Sequence, residues 1–293
     1  KEVPLGKLYN FYKEFVIRAV KKQKTAVIIS DAFRYECGEE LKEQLDQDPT
    51  RKTVIKPLLS TIPSYTAIGM ASLLPHNKIR FDTKFKLLVD DKPCTSTSER
   101  QKILESYNYD AIALTYDEVM SHNTKSLRKE LKKKNLIYIY HNQIDARGDK
   151  LATENEVFTA SKEAIDEIIN LITKLTGQGN IYNHIITADH GFIYKHDKLK
   201  ESDKVNLTQK GIHITNKRYL LSDEELNIDG TLNHSLDYLD MDNLHVTVPW
   251  GVDIFKTKGA GQNYVHGGSS LQEIVVPVLK VKSKASKINQ EKV

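Results

Sequence analysis

The chain has 293 residues, with 43 Lys+Arg against 39 Asp+Glu for a formal charge of +4, and 39% hydrophobic against 28% charged residues. This ordinary globular balance excludes a collagen-like, low-complexity or fully disordered chain, and +4 is too slight to argue a nucleic-acid partner by itself. No apolar run approaches the ~18–20 residues of a membrane span, and the opening KEVPLGKLYNFYKEF lacks the apolar core of a signal peptide.

Taken in chain order, residues 1–20 read as an N-terminal helix, the remnant of a preceding region in a longer protein. Five near-continuous apolar runs follow: Thr25–Ser30 (TAVIIS), Thr53–Ser60 (TVIKPLLS), Asp110–Thr115 (DAIALT), Asn135–Tyr140 (NLIYIY) and His184–Ala188 (HIITA). Runs of this kind suit strands buried on both faces, as in a parallel sheet under helices. Helical spacing falls between them, at Glu36–Leu45, at Ser64–Leu74 with Pro75 as the stop, and at Ser121–Lys134. In Glu154–Leu175, residues Val157, Ala160, Ala164, Ile168, Leu171 and Leu175 keep one face apolar. Strands alternating with helices imply right-handed crossovers and an α/β sandwich, with a mostly parallel central sheet and helices on both faces.

After Gly191 the pattern changes. Residues 196–262 are polar and rich in Asp, Asn and Lys, with strand-like pieces at Arg218–Leu221 and Leu244–Val248, which predicts a small irregular or antiparallel insertion or flap. A final strand is expected within Ser270–Val281, so the expected division is a domain over 21–282 and a flexible tail at 283–293. Cys37 and Cys94 stand in unlike surroundings with no CxxC, which argues against a disulfide framework and for a reducing, intracellular setting. The lysine runs at Lys21, Lys22 and Lys24 and at Lys132 to Lys134 read as solvated helix ends.

In an open α/β sheet, ligands sit beyond the carboxyl ends of the strands. There the first run delivers Asp31, and the second Ser60 and Thr61. The fourth delivers His141, Asn142, Asp145 and Asp149, the fifth Asp189 and His190, and a later segment His266. A lone Asp after a strand is more often a helix cap. Adjacent Asp189 and His190 are stronger, placing an oxygen and a nitrogen donor at one locus before a Gly that permits a sharp turn. Five deliveries to one edge suit two-metal hydrolysis, in which ions ~4 Å apart activate a nucleophile and stabilise the leaving oxygen. Thr61 follows a strand and precedes the Ser64–Leu74 helix, whose N-terminus favours a phosphate, and Pro63 suits the first helical turn. Ser60, Thr61 and Ser64 can equally be read as competing N-caps.

The order Asp31, Thr61-x-Pro63, Asp145-x3-Asp149, Asp189-His190-Gly191, His266 resembles the alkaline phosphatase superfamily, and within it the PglZ domain of BREX phage-resistance systems. SDAFRYE, LLSTIPSYTAIGMASLLP, YIYHNQIDARGDK, IITADHGFIY and HGGSSLQEIVVPV carry the likeness over residues 20–282. It implies an alkaline-phosphatase-like sandwich in which Asp31, Thr61, Asp189 and His190 hold one metal and Asp145, Asp149 and His266 the other. Zn²⁺ is the implied metal, and Thr61 the nucleophile that carries the phosphoryl group. Thr61 stands two residues before the proline, as the nucleophile does in related phosphodiesterases; Ser60, Ser64 and Thr66 are the other hydroxyls at hand. The superfamily pattern is Asp-x3-His where this chain has Asp145-x3-Asp149, a change that shifts preference toward Mn²⁺ or Mg²⁺. His141 is the imidazole that could substitute there.

The implied function is that of a cytoplasmic, metal-dependent phosphoric ester hydrolase, a phosphodiesterase or phosphatase. Its substrates would be phosphate esters, nucleotides or nucleic acid, and its partners other BREX defence proteins, with no membrane involved. The alternatives are a degenerate domain that keeps the fold and at most one metal and serves as a scaffold in the defence complex, which a purified protein free of any divalent ion would favour, and a phosphomutase, which needs a basic pocket the sequence does not show. A flavodoxin-like receiver also places Asp at strand ends but leaves Asp189–His190 and His266 unexplained. Lys150, Lys195, Lys256 and Lys258 flank the expected site and read mainly as surface residues.

Overall fold

The apolar runs become strands of one seven-stranded sheet. In the computed structural model, which describes residues 5–197, 204–205, 211–257 and 263–284, these strands are Gly6–Lys7 (β1), Thr25–Ser30 (β2), Arg51–Leu59 (β3), Ala111–Thr115 (β4), Leu136–His141 (β5), Asn183–Thr187 (β6) and Val275–Ser283 (β7). Their order is β1-β3-β7-β6-β2-β5-β4. Every pairing is parallel except those of β7, which runs antiparallel to β3 and β6. Every residue of β2, β5 and β6 is buried, as continuous apolar strands covered on both faces should be.

The helices are Tyr35–Asp46 (α1), Thr66–Ser72 (α2), Thr97–Tyr107 (α3), Tyr116–Ser121 (α4), Thr124–Leu131 (α5), Ile144–Gly148 (α6), Val157–Gly177 (α7) and the single turn Leu271–Ile274 (α8). The apolar stripe expected on α7 is buried throughout. Several expectations shift. The N-terminal region is not one helix: β1 comes first, and helical turns run from Leu8 to Val20. The helix expected over Ser121–Lys134 is shorter, Thr124–Leu131: Ser121 ends α4, and Asn123 caps a fresh start by accepting from the Ser126 amide at 2.9 Å. Helix α3 carries a capping box, Ser96 with Glu99, yet buries only Ile103 and Leu104, so its periodicity is faint in the sequence.

The 196–262 segment contains a four-stranded antiparallel sheet, ordered Ile212–Thr215, Leu220–Ser222, Met241–Pro249, Thr231–Leu236. It is tied to the main body through Arg218, a fully buried guanidinium that forks onto Glu273 in α8 at 3.0 and 2.7 Å. Arg218 also donates to the carbonyls of Asp253 and Gly251. Lys258 and the tail residues 285–293 lie outside the described residues.

Candidate metal centre

Register places the first two carboxylates. Ile29 of β2 pairs with Thr187 of β6, so Asp31 and Asp189, each two residues further on, leave neighbouring strands at one level, about 5 Å apart. Asp189 Oδ1 accepts from the Ala32 amide at 3.2 Å, while Asp31 Oδ1 and Asp189 Oδ2 are buried and have no hydrogen-bond partner. His190 Nε2 stands 3.5 Å from Asp31 Oδ1 and 3.4 Å from Asp189 Oδ2. Its Nδ1 meets the Gly191 carbonyl at 2.9 Å, and a carbonyl only accepts, so Nδ1 holds the proton and Nε2 offers its lone pair inward.

Helix α6, following β5, brings Asp145 to the same locus. Tyr264 donates to Asp145 Oδ1 at 2.9 Å, and His266 Nε2 lies 3.6 Å from that oxygen and 3.8 Å from Asp149 Oδ1. The rings of His190 and His266 stack at 4.2 Å. Among the described residues two groups of donor atoms lie within 4.8 Å of one another: Asp31, Asp189 and His190, and Asp145, His190 and His266. The groups share His190. Asp149, its side chain 59% exposed, stands beside the second group rather than within it.

The site is overloaded with negative charge. Burial, then the charges of Asp189 and Asp145, push Asp31 well above the usual carboxylate range, and burial raises Asp189 to about 6. Burial, then the charge of His266, hold His190 down to about 3. Burial also opposes charge on His266, but the facing Asp149 and Asp145 more than reverse this and raise it to about 9. Four carboxylates with two unpartnered, buried oxygens and one inward imidazole lone pair form a donor set that fits divalent cations.

The hydroxyls fall differently from expectation. Thr61 Oγ1 donates to the Pro63 carbonyl at 2.9 Å, and the residue lines a separate cavity with His234 and Tyr238. Ser60 donates to the Asp189 carbonyl at 2.5 Å and Ser64 to the Gly268 carbonyl at 2.7 Å, so both tie loops together and neither caps a helix. The helix starts at Thr66 rather than Ser64, and Thr66 Oγ1 lies 3.1 Å from His190 Nε2. Gly69, one turn on, lets this helix press against Asp189; a Cβ there would meet the Asp189 backbone oxygen at 2.7 Å. His141 is likewise no substitute ligand, since its Nδ1 and Nε2 are taken by Ser30 at 2.9 Å and Glu167 at 2.6 Å.

A cleft of about 440 Å³ opens onto Asp31 and Thr66. Its one cationic lining residue is Arg100, poised 4.6 Å over the Tyr140 ring, and Lys150, Lys195 and Lys256 are not among its lining residues. Arg100 sits on α3, the helix that periodicity did not reveal.

A family model described as the BREX system PglZ alkaline phosphatase-like domain matches residues 11–281. The alkaline phosphatase-like protein PglZ of Bacillus cereus (strain H3081.97) is 41% identical over 288 residues, covering 97% of this chain and 34% of that protein. The alkaline phosphatase-like protein BrxZ of Escherichia coli O9:H4 (strain HS) is 32% identical over 285 residues, 94% of this chain and 32% of that protein. The chain thus spans about a third of the length of these curated relatives. Among solved structures, murine ectonucleotide pyrophosphatase/phosphodiesterase 5 in complex with AMP superposes with a TM-score of 0.59 at 12% identity, over 89% of this chain and 88% of that one. Phosphonoacetate hydrolase from Sinorhizobium meliloti 1021 gives 0.54 at 11% identity, over 88% and 90%. At such identities the likeness is one of fold.

Proposed function

The chain belongs to the family of BREX-system PglZ alkaline phosphatase-like domains, and from that membership we propose a metal-dependent hydrolase of phosphoric esters. It acts as a phosphodiesterase or phosphatase on nucleotides or nucleic acid, within a bacterial BREX-type anti-phage system alongside its other proteins. The hydrolase unit covers residues 21–282, with 196–262 as an insertion. The observation that carries this reading is the pair of buried, unpartnered oxygens of Asp31 and Asp189 beside the His190 lone pair, with a hydroxyl within reach.

Asp31, Asp189 and His190 would hold one divalent cation, and Asp145 and His266, with Asp149 at hand, a second. Zn²⁺ suits the mixed oxygen and nitrogen donors, and the carboxylate majority also admits Mn²⁺ or Mg²⁺. Bound there, such ions supply Lewis acidity toward a phosphoryl oxygen and make a nearby hydroxyl easier to ionise. The chain's own nucleophile is Thr66 rather than Thr61. A bond from Thr66 Oγ1 to phosphorus forms as the bond to the leaving oxygen breaks, the hydroxyl proton passing through solvent to the departing alcohol; water then attacks phosphorus, its oxygen leaving with the phosphate and one of its protons restoring the Thr66 hydroxyl. Arg100 faces the anionic ester from the cleft wall.

Cation binding needs Asp31 and Asp189 ionised and His266 neutral. Asp189 gives up its proton only near pH 6 and His266 near pH 9, so binding releases protons and tightens as pH rises. Zn²⁺ or Mn²⁺ should therefore raise the melting temperature more at pH 8 than at pH 5. Turnover of a chromogenic phosphodiester should vanish on chelation and return with the ion. A larger shift at pH 5, or full turnover after exhaustive chelation, contradicts the reading.

A further inference from the structure

A third cavity, of about 850 Å³, lies at the opposite edge of the sheet. Residues Asn183 and Ile185 of β6 line it, whereas the metal centre follows the other end of that strand, about 13–20 Å away at ~3.3 Å per residue. The register explains its character. Lys280 of β7 pairs with Ile185, and Lys282 pairs with Asn183 on one side and Lys52 of β3 on the other, so all five project from one sheet face. Pro277, of opposite parity on β7, faces α1, where Gly38 would strike its ring if it carried a Cβ. On the lysine face the cavity is walled by the N-terminal helical turns, which contribute Phe15, Arg18 and Lys22.

The lining holds seven cations and no carboxylate, in a chain whose charges otherwise nearly balance. Arg51 pairs with Asp48 at 3.1 Å. Among the described residues Arg18, Lys22, Lys52, Lys280, Lys282 and Lys284 have no carboxylate partner. Lys280 lies 4.7 Å over the Phe15 ring, and partial burial, then the charges of Lys56, Arg18 and Lys22, lower its pKa. Such crowding costs free energy unless an anion relieves it.

We propose that this groove seats the phosphate backbone of a nucleic acid. A protein partner is the poorer fit, because the centre of a protein interface is apolar and depleted in charge, whereas nucleic-acid interfaces are polar and strongly positive. Spacing agrees as well: Lys280 and Lys282 stand about 7 Å apart along the strand, close to the rise of two nucleotides. The groove uses none of the residues around Thr66, so it extends beyond the hydrolase reading and does not depend on it.

Fluorescence anisotropy of the 293-residue chain, with a labelled 20-base-pair DNA duplex and a single strand of equal length, tests the groove across a salt series. The variant is Lys52→Ala/Lys280→Ala/Lys282→Ala, with the matching triple Gln substitution, which removes the charge but keeps most of the side chain, as a second form. For the duplex the slope of log affinity against log salt should fall by about 2.7, at ~0.9 per lost phosphate contact, and affinity should drop at least tenfold. Turnover of a small chromogenic phosphodiester should not change. The form bound more tightly identifies whether duplex or single strand is seated. Failure of the parent chain to bind either DNA, an unchanged slope in a folded variant, or binding of poly-glutamate in place of DNA would overturn the proposal.

Discussion

Thr66→Ala should cut turnover of a chromogenic phosphodiester by 10³-fold or more, on the order of what loss of a covalent nucleophile costs elsewhere. Thr61→Ala should leave it within about threefold. The two residues share a type and sit five positions apart, but their surroundings differ in kind. Thr61 spends its proton on the Pro63 carbonyl in a cavity it shares with Tyr238, whereas Thr66 faces the one imidazole common to both ligand groups. Thr66→Ser keeps the hydroxyl and should restore much of the rate. Each variant removes or trims a small side chain, so melting curves should show all three folded. A folded Thr66→Ala protein with undiminished turnover, or an inactive Thr61→Ala protein, would reverse the assignment.

Arg218→Met is expected to lower stability by about 3–5 kcal/mol, because it strands Glu273 as a buried charge. Both side chains are fully buried, and Glu273 also accepts from the Gly268 amide at 2.8 Å and the Ser270 hydroxyl at 2.7 Å. Burial disfavours the Glu273 carboxylate, but Arg218 and these donors outweigh it and hold its pKa below the ordinary glutamate value. Its contribution is therefore complete above that value and is lost as pH falls through the lowered pKa. The damage should reach the metal centre. Gly268 has no side chain where the Arg218 guanidinium lies, and Ser64 binds the Gly267 and Gly268 carbonyls, so this pair fixes the loop that carries His266. Denaturant midpoints of Arg218→Met, Glu273→Leu and the double variant measure the coupling. The double variant should be more stable than the two single losses added together. A loss under about 1 kcal/mol for Arg218→Met would show that the insertion is held by other contacts.

Much of the scaffold was legible because apolar continuity and apolar periodicity report burial directly. The bounds expected for Thr25–Ser30 match β2, and the six residues expected on the inner face of α7 are all buried there. Asp31, Asp189, His190 and Asp145 could be named as candidates because strands of one sheet deliver whatever follows them to one edge, whereas His266 comes from a later segment that follows no strand of that sheet. Their pairing could not, since it depends on the Ile29–Thr187 register and on stacking between His190 and His266. The proposed hydroxyl could not be read for a local reason. Spacing to Pro63 pointed to Thr61, whereas the start of the helix after Tyr65 is what sets Thr66 Oγ1 3.1 Å from His190 Nε2. Arg100 was missed with α3, whose polar surface hides its period. The basic groove is invisible as one charge run because its cations come from the N-terminal region, β3 and β7, far apart in sequence.

Crystals grown with Zn²⁺ or Mn²⁺ and measured at the matching absorption edges put the cage itself to the test. Anomalous peaks should lie among Asp31, Asp189 and His190, and beside Asp145 and His266, within ~2.0–2.2 Å of the ligating atoms and adjacent to Thr66. Peaks confined to other parts of the molecule, or none in crystals containing either ion, would contradict a cation-dependent centre at this edge of the sheet.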